Sequence, residues 1–300
     1  MKKLIDVHSH FLSKEYIQFL EENNATLEDG FPLPQYDLEE HKKLMNDCGI
    51  EHSFLSISTP QPYFVDYDQE SIDMCRLLNE QMASIKERED SIGYFACLPL
   101  PNVEASISET IYALDTLHAD GIKLASNSRG LYLGDKKLEP LMEVMNKRHT
   151  VCVIHPHKPE PIKDDVFSAS VAPLYEFLAD TTRAVLNMIA NGVILKYPNI
   201  TWIVPHCGSF LPNIYNRFIG ISKVIDLHNI DVKESFSKLS YDLSGITSKE
   251  TLDLLLTITT EDHLLYGSDY PFTPINQIEN NLNKLPEVDF YANAKKILKF

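Results

Sequence analysis

Eight short apolar, β-branched runs, spaced by longer stretches that are mostly helical in pattern, constrain this chain more than any other feature. The runs are residues 4–8, 54–57, 93–98, 121–124, 151–155, 201–206, 239–243 and 264–269. Between them the apolar residues recur at helical spacing. Leu38, Leu44 and Met45 mark residues 38–48, which end at Gly49. Val103, Ile107, Ile111 and Leu114 mark residues 102–117. Leu138, Leu141, Met142 and Met145 mark a further helix, as do Leu252, Leu255 and Leu256. Residues 174–195 read as one longer helix, closed by Lys196-Tyr197-Pro198. Strands that alternate with helices predict a parallel sheet, and eight is the number that closes one into a barrel. The expected fold is therefore α/β, a (β/α)8 TIM barrel. No low-complexity stretch or polar linker divides the 300 residues, so residues 1–300 are read as a single domain. Residues 12–37 and 158–170, rich in proline and charge, are expected to be loops over the barrel mouth.

Charge excludes some partners. Lys and Arg number 27 against 43 Asp and Glu, a formal net charge of −16. Such a surface repels phosphate backbones and anionic lipid, so nucleic acid and membrane are not expected partners. An anionic substrate needs a local positive group, a metal ion or an arginine. The five cysteines, Cys48, Cys75, Cys97, Cys152 and Cys207, are odd in number and form no Cys-x-x-Cys pair. That favours a reducing cytoplasm over a disulfide framework. Asp6 follows Leu4-Ile5 directly, so the start lacks a signal-peptide core, and no apolar run reaches the length of a membrane span.

Functional residues of such a barrel gather at the C-terminal ends of its strands. The polar residues found there are few. His8 and His10 end the first run, His155 and His157 the fifth, His206 the sixth and Asp269 the eighth. Side chains two apart on a strand share a face, so both imidazoles of His8 and His10 can enter the mouth together. Imidazole and carboxylate suit a borderline divalent ion such as zinc, and also manganese or iron. A lone His-x-His pair is more often incidental; its conjunction with the other strand-end residues raises the signal. Of the remaining histidines, His41, His118, His149 and His228 fall in or near helical runs and are read as solvated. His52 and His263 precede strands and are assigned to the opposite, stabilising face.

Asp6-Val7-His8-Ser9-His10-Phe11, Ile154-His155-Pro156 and Gly267-Ser268-Asp269-Tyr270-Pro271-Phe272 resemble signature segments of the amidohydrolase superfamily. The nearest resemblance is to the branch typified by aminocarboxymuconate-semialdehyde decarboxylase. His206-Cys207-Gly208-Ser209-Phe210, residues 182–198 and Asn293-Ala294 are similar to that branch as well. The resemblance implies that His8, His10, His155 and Asp269 hold one divalent metal ion, zinc or manganese. It implies that His206 is the acid/base beside the metal; in the hydrolytic alternative below, His206 or Asp269 takes the proton of the metal-activated water. It also implies a homodimer in which Arg217 helps bind a substrate carboxylate; a surface salt bridge is the alternative reading of Arg217. The branch's arginine in the loop after strand one has no counterpart, because residues 12–48 contain none; Arg129, after strand four, is the candidate substitute. Cys207, where the family commonly has glycine, is read as packing. Lys123, which would bridge two metals in binuclear relatives, is read as orienting the site or pairing with an acid.

The expected activity is metal-dependent, non-oxidative decarboxylation of an unsaturated or aromatic carboxylic acid, a small-molecule substrate. The alternative is hydrolysis of a lactone, ester or amide by metal-activated water, since both chemistries use one metal and one acid/base. A binding protein with a vestigial site is the non-enzymatic reading.

Overall fold

In the computed structural model, residues 3–63, 69–162, 170–225, 227, 230–245 and 248–298 are described. Eight strands form one sheet: β1 (Leu4–His10), β2 (Ile50–Ser56), β3 (Ile92–Ala96), β4 (Gly121–Ala125), β5 (Val151–His155), β6 (Thr201–Val204), β7 (Leu239–Asp242) and β8 (Leu264–Leu265). They neighbour one another in chain order, and each strand pairs parallel with the next. Parallel bridges Asp6↔Tyr266 and Ser9↔Tyr270 join the first strand to the segment after the last, which completes the barrel. Every residue of β1, β3, β4, β5 and β7 is buried, as expected of strands covered on both faces.

Two layers of core follow from this. Ile5, Val7, Phe54, Phe95, Val153 and Ile203 belong to the cluster that fills the barrel. A larger cluster packs the strands' other face against the helices, with Leu44, Leu141, Val185 and Trp202 among its members. The strand β1 register slips between Asp6 and Ser9. Val7 belongs to the inner cluster, yet the next residue, His8, also turns to the interior; an irregularity of this kind re-aims side chains at a barrel rim.

Helix Leu38–Cys48 has the expected limits. Asp37 caps its start by accepting from Glu40 N at 2.9 Å, and Gly49 ends it at φ +72°. Several expectations need correction. Residues 12–37 are not all loop: Ser13 caps a helix, Lys14–Glu22, which buries Tyr16, Phe19 and Leu20. Residues 163–169 of the second expected loop lie outside the described residues. The long helix of 174–195 is two, Glu176–Ala190 and Val193–Lys196, broken at Gly192, whose φ is +71°. Helix Gln69–Lys86 had no counterpart in the sequence reading. His41 is not solvated but fully buried, its ring nitrogens 3.2 Å from Tyr36 Oη and Ser53 Oγ. His118 and His149 are exposed, and His228 lies outside the described residues. His52 sits within β2 rather than before it, and His263 precedes β8 as expected.

Candidate metal centre

Four of the strand-end residues converge at the mouth. The ring centroids of His8 and His10 are 5.0 Å apart, those of His10 and His155 4.9 Å, and those of His8 and His155 5.6 Å. Ligand-capable atoms of these three lie within 4.8 Å of one another. Asp269 Oδ1 is 3.1 Å from His10 Nε2 and 3.5 Å from His8 Nε2. His206 lies 5.1 Å from His8, ring to ring, and groups with His8 and Asp269 in the same way.

Local backbone places these groups. Strand β6 stops at Val204, so His206 is not on the strand but in a tight turn, His206–Gly208. His206, Cys207, Gly208 and Ser209 all have positive φ, as does Asp269. Non-glycine residues in that region cost energy, and such strain collects at functional sites. Asp269 is fixed by its backbone N–H, which donates to His8 O at 2.8 Å.

The sequence reading overlooked Asp242, although it ends a strand just as His155 does. Its Oδ2 lies 2.9 Å from His8 Nδ1, and its Oδ1 accepts from the backbone N–H of His206 at 3.1 Å. Burial alone would raise its pKa, but the His8 charge and hydrogen bond bring it down to about 2. Burial likewise depresses His8, but Asp242 more than reverses this and lifts it to about 9. Burial takes His10 down to about 4 and His155 well below the usual imidazole range. Both are thus neutral, the form that ligates metal. Burial and the His8 charge lower His206. Burial opposes ionisation of Asp269, but the His10 hydrogen bond and the surrounding imidazoles leave it below its usual value.

The residues fit a divalent cation. Three imidazoles and a carboxylate are a donor set for zinc or manganese. His8 Nε2 is buried with no hydrogen-bond partner, while its Nδ1 is held by Asp242. A carboxylate on the far nitrogen is how metal-binding histidines are oriented.

The cluster forms the floor of a cavity of about 530 Å³. His155, His206 and Asp269 line it, and so do the rings of Phe31, Phe177, Phe210 and Phe272. Phe272 stands edge-on to His10 at 5.4 Å and Phe177 to His155 at 6.4 Å. No lysine or arginine is among the described residues that line it. Arg129 is not brought there: its guanidinium bonds Glu160 at 2.9 Å, Glu28 at 3.2 Å and the carbonyl of Tyr63. Arg217 is exposed on helix Leu211–Val224 and does not line this chain's cavity. Lys123 is buried beneath the site. It donates to Ser58 O at 3.2 Å and forms no ion pair among the described residues, which corrects the expectation of an acid partner. Burial lowers it to about 8. Cys207 is buried at the cavity wall, and burial raises its thiol pKa, which makes it unreactive packing.

The chain is 30% identical over 315 residues to decarboxylase macB of Penicillium terrestre, covering 97% of this chain and 90% of that one. It is 26% identical over 301 residues to a 6-methylsalicylic acid decarboxylase of Penicillium expansum, covering 97% and 92%. Among solved structures, a dihydroxybenzoic acid decarboxylase of Polaromonas, crystallised with manganese and 2-nitroresorcinol, superposes with a TM-score of 0.82 at 20% identity, covering 100% and 97%. Residues 5–282 match the amidohydrolase family Amidohydro_2, and the chain belongs to that family.

Proposed function

We propose that this chain removes CO₂ from a hydroxyl-bearing aromatic carboxylic acid. It is an enzyme, a metal-dependent carboxy-lyase of its family, as its decarboxylase relatives support. The carrying observation is the cavity: a metal-ready floor between aromatic walls, with no cationic side chain among its described lining residues. A substrate carboxylate entering a molecule of charge −16 therefore depends on a cation at that floor. His8, His10, His155 and Asp269 would hold one divalent ion per chain, zinc or manganese. When bound, the ion supplies the positive charge that anchors and polarises the acid.

The remaining roles fall to side chains. Phe177 and Phe272 flank the floor and orient an aromatic ring over it. His206 carries the proton that replaces the carboxyl group on the ring carbon. The environment lowers its pKa, so its protonated form is a stronger acid than a free imidazolium. Asp242 holds the His206 backbone in place, and the half-buried Asp269, close to His206, favours its charged ring. The products are CO₂ and the ring with hydrogen in place of the carboxylate.

The same reading extends to a cytoplasmic homodimer. Arg217, Ile221 and Val224 are all exposed along helix Leu211–Val224, and an apolar face of this kind supports pairing with a second copy. Sedimentation of wild type and Val224→Asp tests the pairing. The activity test is CO₂ release from a panel of hydroxybenzoates by protein loaded with zinc or manganese. Release that stops in His206→Ala establishes the reading. Acid release from lactones or esters without CO₂ overturns it.

A further inference from the structure

Ser58 stands two residues past the end of β2 and lines the cavity together with His155. Its hydroxyl lies 3.3 Å from His155 Nε2. The other ring nitrogen fixes the direction of that bond. His155 Nδ1 is 2.8 Å from Pro156 O, and a carbonyl can only accept, so in the neutral ring Nδ1 carries the proton. Nε2 is then the bare lone pair, and Ser58 Oγ is the donor. The same assignment makes Nε2 the atom that His155 offers to a metal ion.

Ser56, at the end of the same strand, provides the contrast. Its hydroxyl is 3.3 Å from His10 Nδ1 and donates to Ser9 O at 3.1 Å. The other nitrogen of His10, Nε2, lies against Asp269 Oδ1 at 3.1 Å. Ser56 does not line the cavity, and it supports its histidine from behind. Ser58 instead sits on the metal's own side of a ligand. A metal ion and the Ser58 proton compete for one lone pair, so a loaded centre leaves that hydroxyl without its acceptor. Among the described residues Ser58 Oγ has no other hydrogen-bond partner.

Lys123 holds the hydroxyl in place from below. Its buried ammonium donates to Ser58 O at 3.2 Å, which pins the Ser58 backbone. A donor left buried without an acceptor costs about 1–3 kcal/mol. The group that arrives at the loaded floor is the substrate's carboxylate, drawn there by the cation, and it brings acceptor oxygens.

We propose that Ser58 is a substrate-positioning residue: once a metal ion occupies His155 Nε2, its hydroxyl donates to the carboxylate of the aromatic acid. This rests on the decarboxylase reading above and adds to that site a neutral donor that orients the carboxylate at the floor.

The test has two readouts, neither of them turnover. Zinc binding to metal-free protein is titrated against a chelator of known affinity. Benzoate and benzyl alcohol are then bound, by calorimetry, to the zinc-loaded protein. In Ser58→Ala zinc binds at least as tightly as in wild type, because a competing donor has gone. Benzoate binds about tenfold more weakly, the loss expected of a hydrogen bond to a charged group, while benzyl alcohol changes by less than about twofold. Ser58→Thr, which keeps the hydroxyl, restores benzoate to within about threefold of wild type. The proposal is overturned if Ser58→Ala weakens zinc binding, which would make Ser58 a support for His155. It is overturned equally if benzoate loses less than about threefold, or if both probes weaken alike. CO₂ release from hydroxybenzoates is followed in parallel. Its absence in wild type would defeat the decarboxylase reading, while the benzoate difference still decides the role of Ser58.

Discussion

Asp242 and His8 are 234 residues apart in the chain and 2.9 Å apart in space, and between them they set the posture of the whole floor. The other oxygen of Asp242 accepts from His206 N, Ser244 N and Ser244 Oγ. One carboxylate thus aims a predicted metal ligand and anchors the predicted proton donor.

Asp242→Asn tests this. The amide cannot accept on both sides, and the preference for the His8 tautomer with its proton on Nδ1 weakens. Loss of such a supporting carboxylate typically lowers metal affinity 10–100-fold, and a fall of about that size is expected here. Titration against a chelator of known affinity measures it. Unchanged affinity would mean that the barrel wall alone orients His8.

His155→Ala and His206→Ala separate ligand from acid. Metal at about 100 times its dissociation constant stabilises a protein by about 2.7 kcal/mol, which for a chain of this size raises Tm by roughly 4 °C. His155→Ala is expected to lose that rise. His206→Ala is expected to keep it while CO₂ release falls on the order of 10²–10⁴-fold. A lost rise in His206→Ala would instead make His206 a ligand, an arrangement that its proximity to His8 and Asp269 also allows.

Much of this was legible in the sequence because it depended on local pattern. All eight strand runs overlap observed strands, and the histidines at their ends converge. What escaped was long-range. Asp242 gains meaning only when β7 lies beside the turn that carries His206 and across the mouth from His8. The sequence puts His41 on a helical run with nothing local to bury it; only the fold places Tyr36, Ser53 and Tyr270 around it. Arg129 looked like an anion site by position, but Glu28 and Glu160, distant in sequence, occupy its guanidinium. The helix Lys14–Glu22 was hidden by the charged, proline-containing residues around it.

Gly267 permits a close approach. A Cβ there would lie 2.7 Å from His8 Cβ and 3.1 Å from Ser244 Cβ. Gly267→Ala must displace His8, so a loss of about 1–3 kcal/mol and weaker metal binding are expected. Gly220, in the interior of helix Leu211–Val224, has nothing within 4 Å of the added carbon. Gly220→Ala is expected to stabilise by about 0.5–1 kcal/mol. Urea unfolding of the two variants checks both signs at once, and equal effects would refute the steric account.

His41 makes the fold sensitive to acid. Burial lowers its pKa from 6.5 to about 4. Between those values the unfolded chain binds a proton that the folded chain refuses, so stability rises with pH across that window. The contribution is complete above pH 6.5 and lost as pH falls towards 4, a change of roughly 3 kcal/mol. His8 acts in the opposite sense in metal-free protein: its raised pKa gives stability that is full below 6.5 and fades as pH rises through about 9. His10, also lowered to about 4, adds to the acid sensitivity. The contribution of His41 is therefore isolated as a difference between wild type and His41→Gln, both metal-loaded, with unfolding free energy measured from pH 7 to 4. The variant is expected to be less stable at pH 7 but to lose less on acidification, by up to one proton's worth of slope. Parallel curves would show that His41 titrates alike in the folded and unfolded chain, and that its burial between Tyr36 and Ser53 does not govern its proton.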